Sequence, residues 1–303
     1  MADRVRVISI NGSPRGDRGA TAAILNPFLD GMEEAGAEVE QRIWVNRIEM
    51  QPCTGCLKCY CNDGECTLKD SVSNERLIQR MAGSDILVIA SPVFSHGFTG
   101  PLKTLIDRFF VTGQPEVKRR SNGQTYRRRR DWVKHGGKAV LVSSCAAWEV
   151  GMFDLILTSM RQFCFDQERE LSAALLRPHS QLLSGIRGKP SVIGNLRALV
   201  RMVGVDIGSF FKRGHTLSAT QSLIGLKKSI GEVKGAAREA GRQLVRDGKI
   251  SPETLEAVSQ PLLPFEAYAS LAEMAIGDLQ KKARKRGQGL EKRSGERVKN
   301  RKI

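Results

Sequence analysis

Apolar residues recur along the first half of the chain with two alternating periods. Val5-Arg6-Val7-Ile8-Ser9-Ile10 is a short β-rich run that breaks at Asn11-Gly12-Ser13-Pro14. An Ala-rich helical pattern then runs from about Ala20 to Glu34 and stops at Gly36, with Pro27 inside it to kink or interrupt it. A second strand is predicted from about Glu38 to Val45, followed by a cysteine-rich loop and a helix from Asp70 or Ser71, as N-cap, to Gly83. Asp85-Ile86-Leu87-Val88-Ile89-Ala90 shows no polar alternation, which is how a strand buried on both faces reads. A helix over Gly100 to Phe110, a buried strand over Lys138 to Ser144 and a helix over Met152 to Phe163 complete the series. This alternation implies βαβ units with right-handed crossovers and a doubly wound parallel sheet, an α/β fold.

The pattern then changes. Lys118 to Lys134, with Arg127 to Arg130 consecutive and an Asn122-Gly123 turn, reads as a basic hairpin between two elements of the sheet. From Gly185 onward Gly, Pro and Ser punctuate an apolar and basic stretch around Val192 to Phe211. A clean helix returns from about Ser229 to Val245, closed by Gly248, and Ser251-Pro252 opens another. The last 23 residues are charged without an apolar face, the signature of disorder. The expected organisation is a domain over 1–180 with a cysteine loop at 53–66, a basic insertion over 181–230, C-terminal helices over 231–280 and a disordered tail over 281–303.

Composition narrows the classes. The chain has 303 residues, 41% hydrophobic and 6% aromatic, enough for a sizeable core. No apolar run approaches the roughly 18 residues of a membrane span, and the N-terminus has no h-region of a signal peptide. Seven cysteines, an odd number, argue against a disulfide framework and for the reducing cytoplasm. The net charge of +16 is concentrated: residues 171–231 carry +8 and residues 281–303 carry +9, leaving −1 for the rest. Those appendages are expected to dock an acidic electron-carrier protein, and nucleic acid is disfavoured by the neutral body and scarce aromatics.

Five of the cysteines, Cys53, Cys56, Cys59, Cys61 and Cys66, fall within fourteen residues. Without Cys61 their spacing is C-x2-C-x2-C-x6-C, and closely spaced thiolates on a Gly-containing loop suit a [4Fe–4S] cluster. Zinc and a loop of free thiols remain as alternatives, and Cys61 competes with Cys59 for the third position. Asn11 to Thr21, between strand and helix, forms an anion cradle in which Ser13, Arg15 and Thr21 add two hydroxyls and a cation, the other reading being an ordinary Gly-rich turn. Neither a dinucleotide fingerprint nor a Walker loop is present. Pro92, Val93 and Phe94 make an apolar wall for a flat ring after the third strand, in a loop that continues through Ser95 and Gly97, and Ser144, Cys145 and Ala146 end the fourth. His96 is a candidate proton donor or an ordinary solvent-facing loop residue.

Asn-Gly-Ser-Pro-Arg…Thr, Pro-Cys-Thr-Gly-Cys-Leu-Lys-Cys…Gly-Glu-Cys and Ser-Pro-Val-Phe…Gly-Pro-Leu-Lys-Thr-Leu-Ile-Asp-Arg together resemble the flavodoxin-like NAD(P)H-dependent FMN reductases, in particular the iron–sulfur flavoproteins. The resemblance spans about residues 4 to 180 and, more loosely, Glu239 to Tyr268. It implies a flavodoxin-like doubly wound parallel sheet with a helical C-terminal extension. It also implies FMN, with Ser13, Arg15 and Thr21 on the phosphate and Pro92 to Gly97 with Ser144 to Ala146 around the ring, and a cluster on Cys53, Cys56, Cys59 and Cys66. An oxidoreductase acting as a homo-oligomer follows, moving electrons between NAD(P)H or a ferredoxin-like carrier and an acceptor. Ala20 stands where Asn is usual and Phe94 where Tyr is common, and 185–228 resembles an insertion. The rival class is a zinc-stabilised binding protein whose basic segments engage nucleic acid or an anionic membrane surface.

Overall fold

The computed structural model describes residues 4–183, 216–266, 268 and 269. Five parallel strands form the central sheet: β1 (Arg6–Asn11), β2 (Glu38–Trp44), β3 (Ile86–Pro92), β6 (Lys138–Ser144) and β7 (Glu170–Arg177), in the order β2-β1-β3-β6-β7. Between β3 and β6 the chain makes an antiparallel pair, β4 (Gly113–Arg119) and β5 (Thr125–Arg129), turning at Asn122 and Gly123. The strand order reverses at β1, so the loops after β1 and β3 diverge on either side of a crevice at the C-terminal edge, the flavodoxin-like arrangement.

The runs without polar alternation lie where both sheet faces are covered. Ile8, Ile10, Leu87, Ile89, Ala139 and Leu141 belong to one continuous core with side chains of α4 (Leu77–Gly83), α5 (Gly100–Asp107) and α6 (Asp154–Asp166). Their alternates Val7, Val88, Val140 and Val142 are equally buried, and α1 (Ala20–Glu34) packs on β2, β3 and β6. Pro27 sits within α1 without ending it.

The predicted helix from Asp70 to Gly83 is two pieces, α3 (Ser71–Asn74) and α4, separated at Arg76 with φ +49°. Asp70 caps α3 by accepting from the Ser73 N–H at 3.1 Å. The helix expected to run to Phe110 ends at Asp107 and tightens into a 3₁₀ turn over Arg108–Thr112. β7 is absent from the sequence pattern above, because Glu-Leu-Ser-Ala-Ala-Leu-Leu-Arg holds strong helix formers and no β-branched residue. It is a strand because β6 offers it a ladder and only alternate residues, Ala173, Leu175 and Arg177, need burial.

Two compact units divide the chain: Met1–Gln181 with Ile230–Gln260, and Leu182–Ser229 with Pro261–Ile303. In the first, the α7 helix (Thr216–Asp247) contributes its stretch from Ile230, where Ile230, Val233, Ala237, Ala240 and Leu244 form a buried stripe at helical spacing. α8 (Pro252–Ser259) starts as expected, with the Ser251 hydroxyl accepting from the Thr254 N–H at 3.2 Å. Of the second unit the structure describes Leu182, Leu183, the α7 turns from Thr216 to Ser229, residues 261–266, 268 and 269. The irregular stretch at Val192 to Phe211 and the basic tail lie outside the described residues. Among the described residues no helix is long and apolar enough to cross a membrane.

Candidate functional site

Three of the predicted loops meet at the C-terminal edge of the sheet. The first leaves β1 through Gly12, whose N–H bonds the Ala90 carbonyl at 2.7 Å and whose carbonyl accepts from the Thr99 hydroxyl at 2.8 Å. A Cβ at Gly12 would lie 2.8 Å from Leu102 Cβ, so only glycine lets β1 pass this close to α5. Ser13 and Thr21 are buried while Arg15 is exposed. The Ser13 hydroxyl accepts from the Arg15 N–H at 3.3 Å, closing a tight turn in front of α1. Helix α1 begins at Gly19 with no side-chain cap and no acid in its first turn, so that turn's N–H groups and the positive end of the helix are left for an anion.

Thr21 Oγ1 and Ser144 Oγ are 2.7 Å apart, a hydrogen bond that ties the first loop to the end of β6. The Val93 N–H donates to the Ser144 carbonyl at 2.8 Å, bringing the third loop to the same place. There Phe94 and Gly97 pair across a two-residue turn in which Ser95 and His96 both have positive φ, +47° and +64°. Phe94 is half exposed at the rim, and Ser95 and His96 project at the tip of the turn. Cys145 is buried, and burial raises its thiol above the ordinary value, which makes it a packing residue, whereas Ala146 is exposed.

Behind this loop lies a group that the sequence pattern does not reveal. Arg177, fully buried at the end of β7, donates to the Val258 and Gln260 carbonyls at 2.8 and 2.6 Å and to Nε2 of His179. Accepting at Nε2 fixes a neutral His179, and burial followed by the neighbouring guanidinium pushes its pKa down to about 4. The ring of His179 stacks on Trp148 at 4.7 Å, and the His179 backbone N–H donates to the Ala147 carbonyl, so the cluster fixes the path of residues 145–148.

The thiols sit at the same end of the molecule's first unit, after β2. Cys53, Cys56, Cys59 and Cys66 line one hollow, partly open to solvent and walled also by Arg108, Phe110 and Val111. Cys61 does not line it. Lys58–Cys61 is a helical turn, α2, which sets residues two apart on nearly opposite sides. Cys59 is thus buried and Cys61 exposed. Burial, then the nearby Cys66, Cys53 and Cys56, raise the Cys59 pKa, whereas the Lys58 N–H and the Thr54 hydroxyl lower that of Cys56. Leu57, in the left-handed region at φ +57°, makes the bend between the two. Among the described residues no three His, Cys, Asp or Glu side chains converge on the position of a single metal ion. Four thiols spread around one hollow, with the Gly55 N–H on Cys53 and the Lys58 N–H on Cys56, suit a multi-iron cluster in which each thiolate would take its own iron.

Asp70 and Arg108 brace that hollow from below. Both side chains are 2% exposed and pair at 2.6 Å, while Asp70 also accepts from the Gln51 N–H and Arg108 also reaches the Gln51 carbonyl and the Ser73 hydroxyl. Burial opposes the charge on Asp70, yet the Arg108 guanidinium and the two amides hold its carboxyl below the ordinary value.

A family model described as NADPH-dependent FMN reductase matches residues 5–163, more than half of the chain. The chain belongs to that family. An iron-sulfur flavoprotein of Methanocaldococcus jannaschii is 34% identical over 104 residues, covering 34% of this chain and 51% of its own length. One from Archaeoglobus fulgidus is 33% identical over 121 residues, covering 39% of this chain and 52% of its own. The chain therefore spans about half the length of the curated relatives it matches. A solved NAD(P)H:quinone oxidoreductase from Methanothermobacter marburgensis aligns at a TM-score of 0.43 with 15% identity, covering 80% of this chain and 98% of that one.

Within this FMN reductase family member, the fold joins Thr21, Val93 and Ser144 in one hydrogen-bonded set, keeps Ser13 in the turn in front of α1, and gathers four of the five clustered thiols. Arg15, Ser95, Ala146 and His96 are at its exposed margin. Asp70, Arg108, Arg177 and His179 are the residues that sequence reasoning missed. For Arg108 a signal existed, a lone arginine after an apolar helix stripe in Leu-Ile-Asp-Arg. Arg177 and His179 had none, because Arg177 is satisfied by carbonyls more than 80 residues away and His179 by Arg177 and a stacked Trp148 ring.

Proposed function

We propose that the protein is an FMN-dependent oxidoreductase that carries a [4Fe–4S] cluster on Cys53, Cys56, Cys59 and Cys66 and moves electrons between NAD(P)H or a ferredoxin-like carrier and an acceptor. The observation that carries this reading is the sorting of the thiols: four face one hollow and the fifth is turned out. The family supports the flavin, and the uncapped start of α1 beside Ser13, Arg15 and Thr21 supports its phosphate. FMN supplies two-electron hydride acceptance or single-electron passage and a cluster supplies single-electron passage, so the two together convert between these modes.

The chain's own part is positioning. Ser13 and Thr21 offer hydroxyls, Arg15 a cation and α1 its first amides to a phosphate. Thr21 also holds Ser144, which in turn holds Val93, so the phosphate and ring walls are set together. Pro92, Val93 and Phe94 with the Ser95 to Gly97 turn, and Ser144, Cys145 and Ala146 opposite, would flank the ring and exclude water. Leu57 and Phe110, 48% and 49% exposed on the wall of the hollow, support assembly as a homo-oligomer that covers them. A reducing compartment accords with seven cysteines that form no disulfide.

Protein purified without oxygen tests the reading by iron and sulfide content, visible spectrum and released flavin. Iron is expected to be lost in Cys53→Ala, Cys56→Ala, Cys59→Ala and Cys66→Ala and kept in Cys61→Ala. Colourless protein containing zinc, or loss of iron in Cys61→Ala with retention in Cys59→Ala, refutes the assignment.

A further inference from the structure

The β4–β5 excursion is a third centre of positive charge, and it stands beside the thiols. Residues 113–134 carry eight Lys or Arg and two acids, so the body whose sum is −1 is a hairpin of +6 on a remainder of −7. Arg130 donates to the Cys59 carbonyl at 3.1 Å, and the Arg127 guanidinium lies 4.4 Å over the ring of Tyr60, the residue after Cys59. The hairpin is therefore fastened to α2, one wall of the hollow.

Two of its cations, Arg120 and Arg127, are held in place without being neutralised. Arg120 lies 4.5 Å over both the Tyr126 and Phe165 rings, and Arg127 is held by Tyr60. Among the described residues the ion pairs of the excursion are Arg128 with Asp131 at 3.9 Å, Arg130 with Asp63 at 3.8 Å and Lys134 with Asp85 at 2.6 Å. Lys118, Arg119, Arg120 and Arg127 have no carboxylate partner among them. Aromatic faces fix a guanidinium while leaving its charge to the outside, so part of the ordering entropy is met before any partner arrives. Val117, 60% exposed between these cations, adds an apolar contact point.

We infer that this hairpin is the docking surface for the acidic face of an electron-carrier protein, which it would seat next to the thiol hollow. The inference rests on the proposed cluster for the nature of the partner, and on the hairpin's own charge for the acidic face. Nucleic acid fits less well, because the rings that could stack on bases, Tyr60 and Tyr126, are already covered by Arg127 and Arg120.

The test uses the full chain with Lys118→Glu, Arg119→Glu and Arg128→Glu combined, three exposed side chains outside the thiol and loop sites. An acidic [2Fe–2S] ferredoxin is the probe, and its dissociation constant is measured by titration calorimetry at several salt concentrations. Wild type is expected to bind with affinity that falls steeply with salt, and the variant to bind about tenfold or more weakly at low salt with a flatter dependence, at unchanged iron and flavin content. Equal affinity in variant and wild type overturns the inference. So does loss of binding on removal of residues 281–303 alone, or an oligonucleotide that binds more tightly and displaces the ferredoxin. Iron content of the same preparations reports separately on the cluster: hairpin-dependent binding by iron-free protein refutes the proposed function and leaves the acidic-face surface standing.

Discussion

Replacing Gly241 by Ala and Gly235 by Ala, two identical changes on one helix, is predicted to shift stability in opposite directions. Gly241 is where α7 crosses α1: a Cβ there would lie 2.0 Å from the Phe28 carbonyl oxygen and 2.9 Å from the Met32 nitrogen. Gly31 faces it in the same way: a Cβ there would lie 1.9 Å from the Arg238 carbonyl oxygen. Carbon and oxygen settle at about 3.3 Å, so the helices must part locally by about 1.3 Å, enough to forfeit half or more of the dispersion energy of the flanking contacts. Overpacking of this kind costs about 1–3 kcal/mol and the opened contacts about 1 kcal/mol more, against about 1 kcal/mol gained in helix propensity. The net expectation for Gly241→Ala is a loss of about 1–3 kcal/mol. At Gly235, exposed and with nothing within 4 Å, only the propensity gain remains, about 0.5–1 kcal/mol of stabilisation. Urea unfolding followed by circular dichroism gives both midpoints on one scale. Because α1 carries the first loop at its other end, Gly241→Ala is also expected to weaken flavin retention. A Gly241→Ala protein as stable as Gly235→Ala would refute the close crossing on which the calculation depends.

Removing a hydroxyl and a cation together in Thr21→Val with Arg15→Ala should weaken FMN binding by about 2–4 kcal/mol, read by fluorescence titration of the apoprotein; unchanged affinity rejects the phosphate assignment. Asp70→Asn leaves Arg108 charged and buried without its counterion and should destabilise by about 3 kcal/mol in denaturant unfolding, whereas a change below about 1 kcal/mol would show that carbonyl partners suffice. His179, held neutral to about pH 4, must gain its proton earlier in the unfolded chain, so stability is expected to fall as pH drops from about 6.5 to 4, by up to about 3 kcal/mol. The difference between wild type and His179→Gln across that range isolates this contribution, and parallel curves would rule it out.

Periodicity alone determined the sheet's interior. Asp85 to Ala90 and Lys138 to Ser144 could be read as buried parallel strands, and Val5 to Ile10 as a β-rich run, because a strand covered on both faces has little use for polar residues, and that constraint is local in sequence. The loops proposed here for a phosphate and a ring, and the thiol spacing, could be singled out for the same reason: each is a short contiguous stretch recognisable by its residue types and intervals. The tertiary structure decided what depends on partners distant in the chain. β7 has the composition of a helix and became a strand because β6 lay open beside it. The predicted helix after Asp70 divided at Arg76, and the Asp70 side chain is shared among Ser73, Gln51 and Arg108. Spacing left Cys59 and Cys61 in competition; a single helical turn, fastened by Arg130 from 71 residues away, set Cys59 inward and Cys61 outward. Arg177 and His179 went unread because their interactions run to backbone carbonyls and a stacked ring, which no residue type advertises. A residue's own pattern encodes how much of it must be buried, whereas the choice of what it is buried against is made only when remote segments meet.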